Sequence, residues 1–219
     1  MKKANKITTL FLDVGGVLLT DGWDRESRKR AAVLFKVDHL AMEKRHHMVF
    51  EVYEEGKLSL EKYLDMVVFY RERTFSHDQF KDFMFEQSLP FTNMIALIAA
   101  IKKLYGLKVG VVSNEARELN EFRIQKFGLN QLADFFISSS FVHLRKPDPD
   151  IFRLALDIAQ VPAENILFMD DQALFVSIAN DFGMKAIHHI DFTSTARKLQ
   201  SFGLGLPESL LSKILPQND

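Results

Sequence analysis

The chain has 219 residues, 47% of them apolar and 26% charged, the make-up of an ordinary globular protein and a length that suits one domain carrying an insertion. Its 28 basic and 29 acidic residues leave a formal net charge of −1, without the positive excess that a nucleic-acid or membrane-surface partner usually selects. With no cysteine in the sequence, disulfides, thiolate zinc sites and cysteine nucleophiles are excluded.

The first stretch, MKKANKITTLFLDVGGVLLT, has the basic-then-apolar outline of a signal peptide, but Asp13 interrupts the apolar run and no small-residue cleavage pattern follows. No stretch approaches the roughly 18 apolar residues that a membrane span needs. A cytoplasmic protein is therefore expected, with neither membrane nor nucleic acid as a partner, and as a monomer or homodimer.

Residues 7–14 (ITTLFLDV) are β-branched and aromatic-rich and end at Gly15-Gly16, which predicts a buried strand. From about 24 to 88 the pattern becomes helical throughout, with segments expected at 24–35, 40–55, 60–73 and 78–87. Gly56 and residues 74–78 punctuate them. After residue 90, strands expected at 107–112, 135–138, 166–169 and 185–188 alternate with helices at 93–105, 115–127, 150–159 and 175–182. That alternation predicts an α/β fold, a Rossmann-like parallel sheet flanked by helices, with a helical-bundle cap inserted after the first strand. The expected division is a core of residues 1–20 and 90–219 and a cap of residues 21–89. Ligands of such sheets bind beyond the carboxyl ends of the strands, where the insertion would sit.

Polar residues gather at those strand ends. Asp13 closes an apolar strand, where a carboxylate is partly desolvated; it suits a nucleophile attacking phosphorus, and equally a turn residue ahead of Gly15-Gly16. Ser113-Asn114 follow LKVGVV and suit an anion site at a helix start or an ordinary N-cap. Lys146, in LRKPDPDIF, is placed either to neutralise Asp13 and a phosphate or to face solvent in a turn. Asp170-Asp171 follow ILFM; adjacent acids there repel unless a cation intervenes, and hard oxygen ligands suit Mg²⁺, although a pair of acids also suits a helix N-terminus.

Taken together, FLDVGGVL, VVSN, RKPDP and FMDD, in that order, resemble the motifs of the haloacid dehalogenase superfamily over residues 7–189, and within it the phosphatase-like branch with a helical cap. YEEGKLSLEKYLDMV is similar to a run common in those caps. The resemblance implies a phosphatase that hydrolyses a small phosphorylated metabolite, a sugar phosphate for instance, through a Mg²⁺-dependent aspartyl-phosphate. It implies Asp13 as nucleophile, with Asp13, the Gly15 carbonyl, Asp170 and Asp171 serving the metal. Ser113, Asn114 and Lys146 would bind substrate, Ser113 and Lys146 acting also in catalysis.

The pattern departs from the family twice. Gly15 stands where a second Asp usually protonates the leaving group. Asp21, Asp24, His46 and His47 are the alternatives, unranked. Phe175 stands where an Asp or Asn often supports the metal, with Gln172 as its possible substitute. These departures keep two other readings open, a haloacid dehalogenase and a non-catalytic binding protein of the same fold. Adjacent histidines, His46-His47 and His188-His189, cannot both face one site from a regular element. Trp23 suits either packing or the entrance to the site, and Phe80, Phe83 and Phe85 suit packing.

Overall fold

The computed structural model describes residues 6–214; the outermost residues of the expected core, 1–5 and 215–219, lie outside the described residues. The strands are β1 (Thr9–Leu12), β2 (Lys108–Ser113), β3 (Phe135–Ser138), β4 (Ile166–Asp170) and β5 (Lys185–His188). They form one five-stranded sheet in the order β3-β2-β1-β4-β5, with every pairing parallel. The Rossmann-like α/β sheet read from the alternation is therefore present.

Side chains alternate between the faces of each strand, and here both faces are buried. Leu10, Leu12, Val109, Val111, Leu167 and Met169 fill one apolar layer. Phe11, Val112, Ile137, Ile166 and Phe168 fill the other. Gly110 is a packing requirement: a Cβ there would lie 2.4 Å from the Phe135 ring. That ring instead meets Phe11 edge-to-face at 6.2 Å.

Between β1 and β2 the chain forms α1 (Arg25–Leu34), α2 (His39–Glu54), α3 (Leu60–Val67), α4 (His77–Glu86) and α5 (Thr92–Tyr105). Side-chain caps start the first four: Asp24 accepts from Ser27 N, Asp38 from Ala41 N, Ser59 from Lys62 N, and Ser76 forms a capping box with Gln79. Each such cap stabilises by about 1 kcal/mol. Helices α1–α4 enclose a separate apolar cluster built on Trp23, Tyr53, Tyr63, Leu64, Phe80 and Met84. Trp23 packs in this cluster, its Nε1 donating to Tyr63 Oη at 2.7 Å.

The helix expected over residues 60–73 is shorter than the pattern suggested. It ends at Val67, where Phe69 turns inward to stack on His77 at 3.7 Å. Arg73 Nε then donates to the released Val68 carbonyl at 2.7 Å. Tertiary packing of the aromatic side chain outweighs the helical propensity of Tyr70–Arg73.

Beyond β2 come α6 (Arg117–Lys126), α7 (Leu129–Leu132), α8 (Ser139–Val142) after β3, α9 (Pro149–Ala159), α10 (Ala173–Asp181) after β4, α11 (Phe192–Ser201) and α12 (Glu208–Leu211). None of the helices among the described residues is long and apolar enough to cross a membrane.

Candidate active site

β1 sits at the centre of the sheet, and the chain leaves it to build β2 and β3 on one side, then β4 and β5 on the other. The crevice at the carboxyl end of β1 is therefore the topological switch point, where open α/β sheets bind ligands. Register does the rest. Leu12 pairs with Val111 on one side and Met169 on the other, so the next residues of each strand emerge side by side. Asp13 follows β1, its N–H still donating to Met169 O at 2.9 Å; Ser113 ends β2 and Asp170 ends β4.

Asp13 is 8% exposed, and Lys146 and Asp170 are fully buried. Lys146 enters from the loop between α8 and α9. Its Nζ lies 2.5 Å from Asp170 Oδ2 and 3.0 Å from Asp13 Oδ2. Asp13 Oδ1 accepts from the Val14 N–H at 2.7 Å. Burial alone would lower the Lys146 pKa, but the Asp13 and Asp170 carboxylates outweigh it and hold the ammonium above its ordinary value. Burial, then the charge of Asp13, pushes both Asp170 and Asp171 upward. Carboxylate oxygens of Asp13, Asp170 and Asp171 lie within 4.8 Å of one another, three acids facing one lysine.

Neighbouring backbone and amide groups hold this cluster in shape. The Gln172 N–H donates to Asp170 Oδ1 at 2.8 Å and its Nε2 to Asp171 Oδ2 at 2.7 Å. Gln172 thus ties the two acids together through its backbone and its side chain. Phe175 has its ring centroid 5.0 Å from Lys146 Nζ, walling the ammonium off from water and attracting it by cation–π interaction. Gly16 adopts φ +66°, and a Cβ on it would lie 2.5 Å from Asp171 Cγ. Gly16→Ala is expected to lower stability by about 1–3 kcal/mol, read as a lower midpoint in urea; an unchanged midpoint would show that Asp171 moves freely aside.

Ser113 Oγ is buried and has no hydrogen-bond partner among the described residues. A buried hydroxyl without a partner is costly unless a ligand supplies one. Asn114, expected to bind substrate, is otherwise engaged. Its Oδ1 accepts from Lys146 N and its Nδ2 donates to Lys146 O, both at 2.8 Å, so the side chain aligns the lysine loop.

The histidines behave as adjacent residues must. His188 Nε2 lies 2.9 Å from the Asp171 carbonyl, whereas His189 Nδ1 lies 2.8 Å from Thr195 Oγ1. His46 is buried with Nδ1 2.8 Å from Tyr63 Oη, while the side chain of His47 is 66% exposed. Burial first, then Arg28, drives His46 down to about 3, so it is neutral at ordinary pH.

A partly open crevice of about 70 Å³ lies between the helical insertion and the sheet, lined by Asp21, Trp23, His46, Tyr53, Glu54 and Asn114 among others. Arg145 and Ser139 bridge its rim: the Arg145 guanidinium reaches Glu54 Oε2 at 2.8 Å, and Ser139 Oγ donates to Glu54 O at 2.7 Å. Asp21, at the mouth of this crevice, is open to solvent yet has protein around it on most sides. Partial burial, with Asp171 and Asp13 close by, raises its pKa to about 6. A wider cleft of about 700 Å³ between α3–α4 and α6 contains none of these groups.

Arg123 was not singled out from the sequence. It is 1% exposed and pairs with Glu115, donates to the Thr20 carbonyl, and reaches Ser88 Oγ at 3.0 Å. Its place four residues after Leu119, on the buried face of α6, is the signal that could have found it.

The family model of haloacid dehalogenase-like hydrolases matches residues 7–177. The chain belongs to that family. This haloacid dehalogenase-like hydrolase is 30% identical over 131 residues to the bifunctional epoxide hydrolase 2 of Rattus norvegicus, covering 58% of this chain and 24% of that protein. It is 27% identical over 125 residues to the pyrophosphatase PpaX of Bacillus cereus, covering 57% and 52% respectively. The match thus spans about a quarter of the length of the first of these relatives and about half of the second. Its fold is shared with the magnesium complex of the HAD family enzyme bt-2542 from Bacteroides thetaiotaomicron. That match has a TM-score of 0.74 at 19% identity, over 89% of this chain and 100% of that one.

Proposed function

We propose that this hydrolase is a phosphatase that removes phosphate from a small phosphomonoester, with Asp13 as nucleophile. The observation that carries the reading is the meeting, at adjacent strand ends, of Asp13, the fully buried Lys146–Asp170 pair and the partnerless hydroxyl of Ser113. The pyrophosphatase relative and the magnesium-complexed neighbour add support.

Three clustered carboxylates supply hard oxygen donors and fit Mg²⁺, so Asp13, Asp170 and Asp171 would hold the ion. When bound, Mg²⁺ offsets the charge repulsion between the phosphate and the acids and polarises the phosphoryl group. The protein's own residues do the rest. Asp13 attacks phosphorus, Ser113 Oγ donates to a phosphoryl oxygen, and Lys146 balances the charge of Asp13. Gln172 and Asn114 hold these groups in place. At an effective dielectric of about 20, two unit charges 4 Å apart interact by about 4 kcal/mol, so an uncompensated phosphate would be turned away.

In this reading the helical insertion, residues 21–89, is a cap over a core of residues 1–20 and 90–219, and the small cavity beneath it selects a compact leaving group. Phosphate release from a panel of small metabolite esters, with Mg²⁺ and then with excess EDTA, tests the proposal. Removal of the metal is expected to reduce turnover by at least about 10²-fold, and undiminished turnover in EDTA would overturn the metal's role.

A dehalogenase is the second reading, favoured by Gly15 in place of an acid. Chloride release from 2-chloropropionate without Mg²⁺ would establish it in place of the phosphatase.

A further inference from the structure

Cleaving a phosphate ester expels an alkoxide, which leaves slowly unless a proton reaches it as the bond breaks; the phosphoaspartate then needs a water relieved of its proton. Asp13 is committed as nucleophile, Lys146 is held between two carboxylates, and Gly15 has no side chain to offer.

What fills the space beside Gly15 is Asp21. A Cβ built on Gly15 lies 3.0 Å from Asp21 Oδ1, so an Asp21 carboxylate oxygen sits directly beside the point from which a side chain at position 15 would extend. Asp21 also lines the cavity beneath the insertion and has no hydrogen-bond or ion-pair partner among the described residues. Both chain neighbours are pinned. Thr20 gives its carbonyl to Arg123 and its hydroxyl to Gln87 O at 2.9 Å, and Gly22, at φ +73°, packs so close to Arg123 that a Cβ would lie 2.8 Å from Nη2.

The competitors are engaged elsewhere. Asp24 caps α1 through Ser27 N at 2.7 Å, His47 points to solvent, and His46 is tied to Tyr63 on the far side of the cavity.

We propose that Asp21 is the catalytic acid and base of the phosphatase, touching the leaving-group oxygen in place of the side chain that Gly15 lacks. The inference rests on the phosphomonoesterase reading above. In the first half-reaction the bond from an Asp13 oxygen to phosphorus forms and the ester P–O bond breaks. Protonated Asp21 gives its proton to the departing oxygen, so a neutral alcohol leaves. In the second half-reaction the Asp21 carboxylate takes a proton from water as the water oxygen attacks phosphorus. The bond to Asp13 breaks, inorganic phosphate departs, and both side chains return to their starting forms.

The test compares wild type with Asp21→Asn in Mg²⁺ on glycerol 2-phosphate, an alkyl ester, and p-nitrophenyl phosphate, whose leaving group needs no proton. With the alkyl ester, kcat is expected to fall about 10²–10⁴-fold. With p-nitrophenyl phosphate a burst of about one p-nitrophenol per enzyme should precede slow turnover, because only dephosphorylation is blocked. Gly15→Asp added to Asp21→Asn should recover at least about 10-fold of the loss. Wild-type-like turnover by Asp21→Asn, equal losses on both esters without a burst, or a leaving-group-selective loss in His46→Asn instead would overturn the role of Asp21 alone. A wild-type protein that turns over neither ester would overturn the phosphomonoesterase reading, and this role with it.

Discussion

Asp13→Asn is expected to abolish phosphate release, lowering kcat by about 10⁴-fold or more, the scale on which loss of a covalent nucleophile is felt. The substitution keeps the shape of the side chain but halves its capacity to accept. Wild-type Asp13 takes the Val14 N–H on one oxygen and Lys146 Nζ on the other. An asparagine has one oxygen for these two donors, and its amide nitrogen can neither attack phosphorus nor pair with the ammonium. The fold should survive the change. In the metal-free protein Asp13 is a source of repulsion that raises Asp170 and Asp171, so its removal is expected to leave Tm unchanged or slightly higher. Turnover, Tm and trapping of a phosphoenzyme together check the prediction. Catalysis by Asp13→Asn at the wild-type rate, or labelling of another residue, would remove Asp13 from the mechanism.

Arg123→Ala is expected to be the most destabilising single change, at about 3–5 kcal/mol. The side chain is buried and joins three segments distant in sequence: Thr20 before the insertion, Ser88 at its end and Glu115 after β2. Removing it orphans the Thr20 carbonyl and leaves Glu115 buried without a cation. Burial, which Arg123 only partly opposes, already raises Glu115 to about 7. Without the arginine its folded pKa moves further above the unfolded value of 4.5. The sign follows. A raised folded pKa favours folding at low pH and loses that contribution as pH rises through it. The stability deficit of Arg123→Ala should therefore be larger at pH 8 than at pH 5.5, as measured by urea unfolding. A deficit independent of pH would locate the damage in packing rather than in the abandoned carboxylate. Glu115→Gln added to Arg123→Ala should recover part of the loss at pH 8.

The sequence by itself determined the class of fold and nominated the residues of the candidate site. Short β-branched apolar runs alternating with helical periods pointed to buried parallel strands, and both faces of β1, β2 and β4 are indeed covered. Asp13, Ser113 and Asp170 were legible only as a set, because each alone also suits a turn or a helix cap, while their order at successive strand ends is what resembles the family. Lys146 was legible only through its motif, since nothing local distinguishes a buried lysine from a surface one. Tertiary structure alone decided which atoms each side chain meets. Asn114 turned to the Lys146 backbone, Phe175 became a wall beside the ammonium, and α3 ended early where Phe69 found a better partner in packing. The nearness of Asp21 to Gly15 and the clamp by Arg123 are likewise invisible in the chain, because each depends on loops that meet only when the insertion closes on the sheet. Local pattern fixes strands and helices through period and burial; partners across 35 or 103 residues, as in the bonds of Arg123 to Ser88 and Thr20, are set by packing.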